Sequence, residues 1–183
     1  GMGKTVEDAR TGGTSGCVET GSFGKEAYIL HGYLNVPKIM ELALNNGTDP
    51  LSGKRIGLET GAPQTFTCYE EFYQAFEKQL HYVVDTKIRT DNYIQRMFAR
   101  HAPAPYLSVL IHDCIENGRD YYDGGPRYNT DYIQCCGIGT VTDSFSVLKK
   151  HVFEEKTVTL ADLLRALHEN WEGWEEMRQF IWN

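Results

Sequence analysis

Along much of the chain, apolar positions recur at steps of three and four, the spacing that lines one face of a helix, and glycine or proline punctuates the runs. Ser22 to Gly32 reads as a short helix. Asn35 stands as an N-cap ahead of Pro37, and Ile39, Leu42 and Ala43 form a stripe that stops at Asn45-Asn46-Gly47. A loop with Pro50 and Gly53 leads to a short strand over Arg55 to Glu59. Thr67-Cys68-Tyr69-Glu70 has the form of a capping box and opens the longest helix. Its stripe of Phe72, Phe76, Leu80, Val83 or Val84, and Ile88 is read as core, and the pattern can run to Arg100 before Pro103 and Pro105 end it. Pro105 to Asn117 predicts another helix, closed by Gly118. Residues 123–129 form a turn-rich loop, Tyr132 to Cys136 a short buried strand, and Val141 to Phe153 a helix entered from Gly137-Ile138-Gly139-Thr140. Thr159 caps a last helical region with Leu160, Leu163, Leu164 and Leu167, broken at Gly173 before Trp174, Met177 and Phe180 resume the stripe. The pattern predicts a helix-rich α/β chain with few short strands and no repeat or linker.

Composition narrows the function classes. With 41% hydrophobic and 12% aromatic residues among 183, the chain can fold around a real core as one segment. Gly1 before Met2 has the look of a tag remnant, which leaves 2–183 as that segment. A net charge of −7 without any Lys/Arg cluster argues against a nucleic-acid partner. No apolar run approaches the roughly 20 residues of a membrane span, and the start lacks the layout of a secretion signal, so a cytoplasmic location is expected. The five cysteines are odd in number and form no C-x-x-C, which signals neither a disulfide framework nor a zinc knuckle. Cys68 and Cys114 are expected to be small buried apolar residues.

Cys17 differs, because it lies in Gly12-Gly13-Thr14-Ser15-Gly16-Cys17-Val18-Glu19-Thr20-Gly21. The glycines let a backbone carry one thiol on a narrow loop into a confined space, and Glu19 is placed to exchange protons with whatever the thiol touches. As an ordinary nucleophile, Cys17 would need a nearby histidine, and the six histidines are scattered with no local signature. As a metal ligand it lacks companions at usable spacing. A glycine-rich turn with an incidental cysteine fits the composition too. The remaining chemistry is radical: a thiyl forms by loss of a hydrogen atom, so it needs no lowered pKa, and a shielded loop tip suits it.

Glu7-Asp8-Ala9-Arg10 followed by Gly16-Cys17-Val18-Glu19 resembles the cysteine-loop signature of the glycyl radical enzymes, the pyruvate formate-lyase-like family. The resemblance continues through Gly124-Gly125-Pro126-Arg127-Tyr128-Asn129, through 137–144, and through Asn170-Trp171-Glu172-Gly173. Residues 13–21 and Lys25-Glu26-Ala27-Tyr28-Ile29-Leu30 look most like the trans-4-hydroxy-L-proline dehydratase branch. Other eliminating dehydratases and lyases more often have proline where this chain has Thr20.

The resemblance implies part of a ten-stranded α/β barrel and a lyase that eliminates water from a hydroxylated small molecule. It makes Cys17 the thiyl that takes a hydrogen atom from substrate, Glu19 the acid/base that helps expel the hydroxyl, and Tyr33 a substrate contact. The 124–129 block and the Gly137-Ile138-Gly139 turn would be architecture. No cofactor is expected on the chain itself. The family stores its radical on a glycine in a C-terminal Arg-Val-x-Gly-Tyr type segment, installed by an S-adenosylmethionine/iron–sulfur activase, and no such segment occurs here. The chain is therefore expected to be an internal slice of a longer enzyme, inactive alone. Its expected partners are the substrate, the activase, the remaining parts of the enzyme, and other copies of itself through exposed apolar faces and strand edges. Three alternatives stay open: a catalytically silent association module, a segment of a diol dehydratase or of a C–N or C–S lyase, and a formate acetyltransferase. Val18 after Cys17, where that last chemistry is associated with a second cysteine, speaks against the acetyltransferase.

Overall fold

The computed structural model of the chain describes residues 3–16 and 19–182. The fold is helix-rich with two two-stranded sheets among the described residues. It divides into two compact units, Gly1–Leu34 with Lys87–Gln134 and Asn35–Thr86 with Cys135–Asn183.

In the first unit, helix α1 (Val6–Arg10) begins at Thr5, whose hydroxyl accepts the Asp8 N–H at 3.1 Å. Such a cap contributes about 1 kcal/mol. Strands β1 (Gly12–Ser15) and β2 (Glu19–Ser22) form an antiparallel hairpin. Strand β3 (Glu26–Asn35) pairs with β4 (Tyr128–Cys136), so the helix expected over Ser22 to Gly32 is a strand instead. Gly24 and Gly32 both take positive φ, which interrupts a helix, and Ala27 and Ile29 bury against Tyr121 on alternate positions of a pleated strand. The Tyr28 N–H donates to Tyr121 Oη at 2.6 Å, a tertiary bond that local periodicity could not announce.

The helix expected over Pro105 to Asn117 is likewise broken, into α4 (Pro105–Ser108) and α5 (Cys114–Asn117). Asp113 between them is left-handed at φ +76°, and the His112 N–H donates to Gly24 O at 2.7 Å instead of into a helix. The Asp120 carboxylate fixes the near end, accepting from Ala104 N and Ser108 Oγ, each at 2.8 Å. Gly118 closes α5 in the left-handed region as expected. Cys114 is buried as anticipated, whereas Cys68 in the second unit is only half-buried. Strand β4 is longer than expected, and its last residues, Cys135 and Cys136, are exposed.

In the second unit, α2 (Val36–Leu44) follows its reading: Asn35 Oδ1 accepts the Lys38 N–H at 3.2 Å, Pro37 sits in the first turn, and the helix ends at Asn45. The expected strand at Arg55 to Glu59 reduces to a single bridge, Thr48 with Arg55. The backbone there is served by a side chain, because fully buried Gln79 accepts from Leu58 N at 3.0 Å and donates to Leu58 O at 2.6 Å. Helix α3 (Tyr69–His101) opens where expected, with Glu71 instead of Glu70 reaching back to the Thr67 N–H at 2.6 Å. Phe72 and Phe76 are core, but the stripe fades toward Ile88, which is 45% exposed. Phe145 packs edge-on against Phe76 with ring centroids 4.9 Å apart. It belongs to α6 (Ile138–Val147), which runs directly into a π-helical turn at Leu148–Glu154. Thr159 caps α7 (Leu160–His168) by accepting the Asp162 N–H at 3.1 Å, and α8 (Glu175–Trp182) resumes after Gly173. Buried Leu160, Leu163 and Leu164 supply the α7 face, each contributing about 1.5–3 kcal/mol.

Candidate functional site

The cysteine loop is the β1–β2 hairpin. Its register pairs Gly12 with Ser22, Gly13 with Gly21, Thr14 with Thr20, and Ser15 with Glu19, leaving residues 16–18 to connect the strands. The glycines are there for contact distance. A Cβ on Gly12 would stand 2.1 Å from Gly21 O, one on Gly13 2.9 Å from Phe23 Cζ, and one on Gly21 2.4 Å from Glu26 Oε2. A side chain at Gly12 would force β1 and β2 apart, and one at Gly21 would push β2 off the Glu26 carboxylate beneath it.

Glu19, the first residue of β2, is buried at 8% exposure. Its carboxylate turns toward the connecting loop, since a Cβ on Gly16 would lie 3.6 Å from Glu19 Oε2. Cys17 and Val18 lie outside the described residues. Tyr33 lies near the end of β3 and is 63% exposed, so its ring is open instead of enclosed. It lies on a strand, where the sequence predicts a helix over Ser22 to Gly32 just before it. The geometry thus buries Glu19, two residues after Cys17 in the chain, and leaves Tyr33 on an open surface.

Beneath the hairpin lies a charge network that sequence reasoning did not single out. Glu26, 1% exposed, accepts the Ser22 N–H at 2.7 Å, the Thr130 hydroxyl at 2.8 Å, and the Lys4 ammonium. Burial would favour its neutral form, but these donors outweigh burial and hold its pKa below the ordinary value. Asp8 accepts from the Lys25 ammonium and, at 2.7 Å, from the Tyr128 hydroxyl. Those two donors, Lys25 first, hold the Asp8 carboxyl well below the usual carboxylate range. The Ser22 hydroxyl donates to Asp8 O at 2.9 Å and ties β2 to α1.

Arg127 forks onto Asp113, with Nε to Oδ2 at 2.7 Å and Nη2 to Oδ1 at 2.9 Å, and lowers the Asp113 pKa while its own rises. Gly125 lets the 124–129 block pack directly on Arg119 and Cys114, because a Cβ there would stand 2.3 Å from Arg119 O and 2.8 Å from Cys114 Sγ. Gly137 meets a comparable limit in the second unit, 2.4 Å from Pro37 Cγ, whereas Gly139 has open space. Next to the same network, Tyr132 donates to Thr20 O at 2.5 Å and stacks on Tyr28, with centroids 6.2 Å apart. Burial, and then the nearby Glu26 charge, raises the Tyr28 pKa.

Among the described residues, no three His, Cys, Asp or Glu side chains come together to hold a metal. No described helix is long and apolar enough to cross a membrane. Among the described residues the arrangement is a glycine-rich hairpin that buries one acid, Glu19, two residues along the chain from Cys17, and a held carboxylic acid of this kind suits proton transfer.

The pyruvate formate lyase-like family model matches residues 1–183. The chain is 56% identical over 181 residues to the trans-4-hydroxy-L-proline dehydratase of Clostridioides difficile, covering 99% of this chain and 23% of that protein. It is 35% identical to the (2S)-3-sulfopropanediol dehydratase of Klebsiella oxytoca, covering 98% and 22%. The crystal structure of the Clostridioides difficile hydroxyproline dehydratase with trans-4-hydroxy-L-proline bound superposes with a TM-score of 0.91 at 58% identity, over 96% of this chain and 22% of that one. The chain therefore spans less than a quarter of the length of the relatives it matches, and its helix-rich fold with few short strands is part of theirs. With the family model matching from end to end and the hairpin, acid and glycine blocks in place, the chain belongs to the pyruvate formate lyase-like family.

Proposed function

We propose that this chain is the cysteine-loop segment of a glycyl radical dehydratase that eliminates water from a hydroxylated, hydroxyproline-like small molecule. One observation carries the reading: the buried Glu19 turns toward the loop containing Cys17, in a chain 56% identical to a trans-4-hydroxy-L-proline dehydratase. A glycyl radical elsewhere in the full-length protein, set by an S-adenosylmethionine/iron–sulfur activase, supplies the oxidising equivalent that makes Cys17 a thiyl.

The Cys17 thiyl takes a hydrogen atom from the carbon next to the one bearing the hydroxyl, so an S–H bond forms and a C–H bond breaks. Glu19 delivers a proton to the hydroxyl, which leaves as water. Loss of water leaves a radical with one proton in excess, which goes back to the Glu19 carboxylate; the neutral product radical then takes a hydrogen atom back from the Cys17 thiol, so the net change is substrate to dehydrated product plus water. Positioned proton transfer of this kind contributes about 10²–10⁴-fold. Tyr33 contacts the substrate once the rest of the enzyme covers it. The remaining parts of the enzyme and the activase are partners in the cytoplasm, and the chain alone is inactive.

The test is anaerobic electron paramagnetic resonance on the activated full-length protein, with trans-4-hydroxy-L-proline and, separately, glycerol supplied. A glycyl signal with hydroxyproline consumed supports the reading. A glycyl signal with neither compound consumed contradicts the substrate class. A second reading, an association module without chemistry, is favoured by large exposed apolar groups such as Trp182, Tyr106 and Ile115. It predicts no radical signal under any activation.

A further inference from the structure

Three segments converge on one carboxylate under the hairpin. Glu26 Oε2 accepts the N–H of Ser22, the last residue of β2, at 2.7 Å, and the Lys4 ammonium meets the same oxygen. Oε1 accepts the Thr130 hydroxyl from β4 at 2.8 Å. Gly21, one residue before Ser22, leaves the space this carboxylate fills, since its Cβ would stand 2.4 Å from Oε2. Ser22 pairs with Gly12 at the open end of the hairpin, and Ser15 pairs with Glu19 at the other end, so a bond at Ser22 seats the strand that carries Glu19 on the unit beneath it.

We propose that Glu26 is a positioning residue for the cysteine hairpin, holding β2 at a fixed height on the unit so that Glu19 stays in place; this rests on the reading that Cys17 and Glu19 carry the chemistry. A carboxylate is suited to the role, because it can accept from a backbone N–H, a hydroxyl and an ammonium at once. Tyr132, donating to Thr20 O at 2.5 Å, supports the same strand from beside Thr130 but carries no charge. Release of Glu26 therefore leaves the hairpin paired within itself and loosely seated on the unit.

The test is hydrogen–deuterium exchange on the 183-residue chain, read peptide by peptide, together with the alkylation rate of Cys17, in wild type, Glu26→Gln and Lys4→Met. Glu26→Gln keeps the size but loses the charge that draws these donors. Lys4→Met removes the cation and its contact with the Tyr128 ring from a partly exposed position and leaves the Glu26 carboxylate in place. Exchange across 12–22 is expected to rise roughly 10–100-fold in Glu26→Gln, as for loss of a charge-assisted hydrogen bond, and in the same direction by less in Lys4→Met. Cys17 alkylates faster in both, while α2, α7 and Cys114 behave as in wild type.

Unchanged hairpin exchange in both variants overturns the proposal, and so does a rise in α2 and α7 equal to that in the hairpin, which would make Glu26 a general stabiliser. In the full-length enzyme, Glu26→Gln is expected to lower kcat with KM unchanged. Because protection is read without turnover, a full-length protein that dehydrates nothing would contradict the proposed function and leave the exchange result to decide the role of Glu26.

Discussion

Gly21 and Glu19 carry the sharpest single-residue consequences. A methyl on Gly21 would have to displace a carboxylate anchored by Lys4, Ser22 and Thr130. Gly21→Ala is therefore expected to destabilise the chain by about 1–3 kcal/mol, read as a lower Tm. Gly139→Ala, with open space at its Cβ, serves as the neutral comparison. Glu19→Gln removes the acid without changing its size and should lower turnover of the full-length enzyme by about 10²–10⁴-fold; turnover at the wild-type rate would remove Glu19 from the mechanism. The Cys17-x-Glu19 spacing and its glycines are visible in the sequence because the chemistry is local. Glu26 and Thr130 are 104 residues apart, and no pattern in either neighbourhood announces that they meet. The exposed position of Tyr33 was hidden for the same reason, since burial depends on what other segments cover.

Among the elements, those defined by their own caps were legible and those defined by distant partners were not. Asn35 for α2 and Thr159 for α7 cap their helices through bonds three residues long, and both stand in the sequence as written. The alternative outcome is β3, which has helix-compatible residues but gives its backbone to β4 and Tyr121. The same competition splits the 105–117 helix, where Asp120 and Gly24 claim groups that a continuous helix would have paired. At 55–59 the expected strand partner turns out to be a side chain. Gln79→Leu should remove both of its bonds to Leu58 and leave a partly buried N–H and C=O without their side-chain partner, at a cost of about 1–3 kcal/mol by urea denaturation. A midpoint equal to that of wild type would mean that Leu58 finds other partners.

For the molecule as a whole, acid stability follows from the network in the first unit. Asp8, Glu26 and Asp113 all have folded-state pKa values below their ordinary ones. A depressed folded pKa means that the unfolded chain binds more protons as pH falls, so this stabilisation is complete above the ordinary carboxylate pKa near 4 and is lost progressively below it. Tm should hold from pH 7 to about 5 and then fall. The fall should be shallower in Arg127→Gln, which removes the cause for Asp113; equal slopes would show that the Arg127 fork contributes nothing to acid stability. The family was legible from four short blocks in order, while the division into two units was not, because each unit is assembled from separated stretches of chain.

The most direct measurement is the turnover of trans-4-hydroxy-L-proline by the activated full-length protein carrying Cys17→Ser, with Cys136→Ser as the comparison and the glycyl signal recorded in both. The account predicts a normal glycyl signal in each, no product from Cys17→Ser, and wild-type turnover from Cys136→Ser. Product formed by Cys17→Ser at the wild-type rate would contradict it.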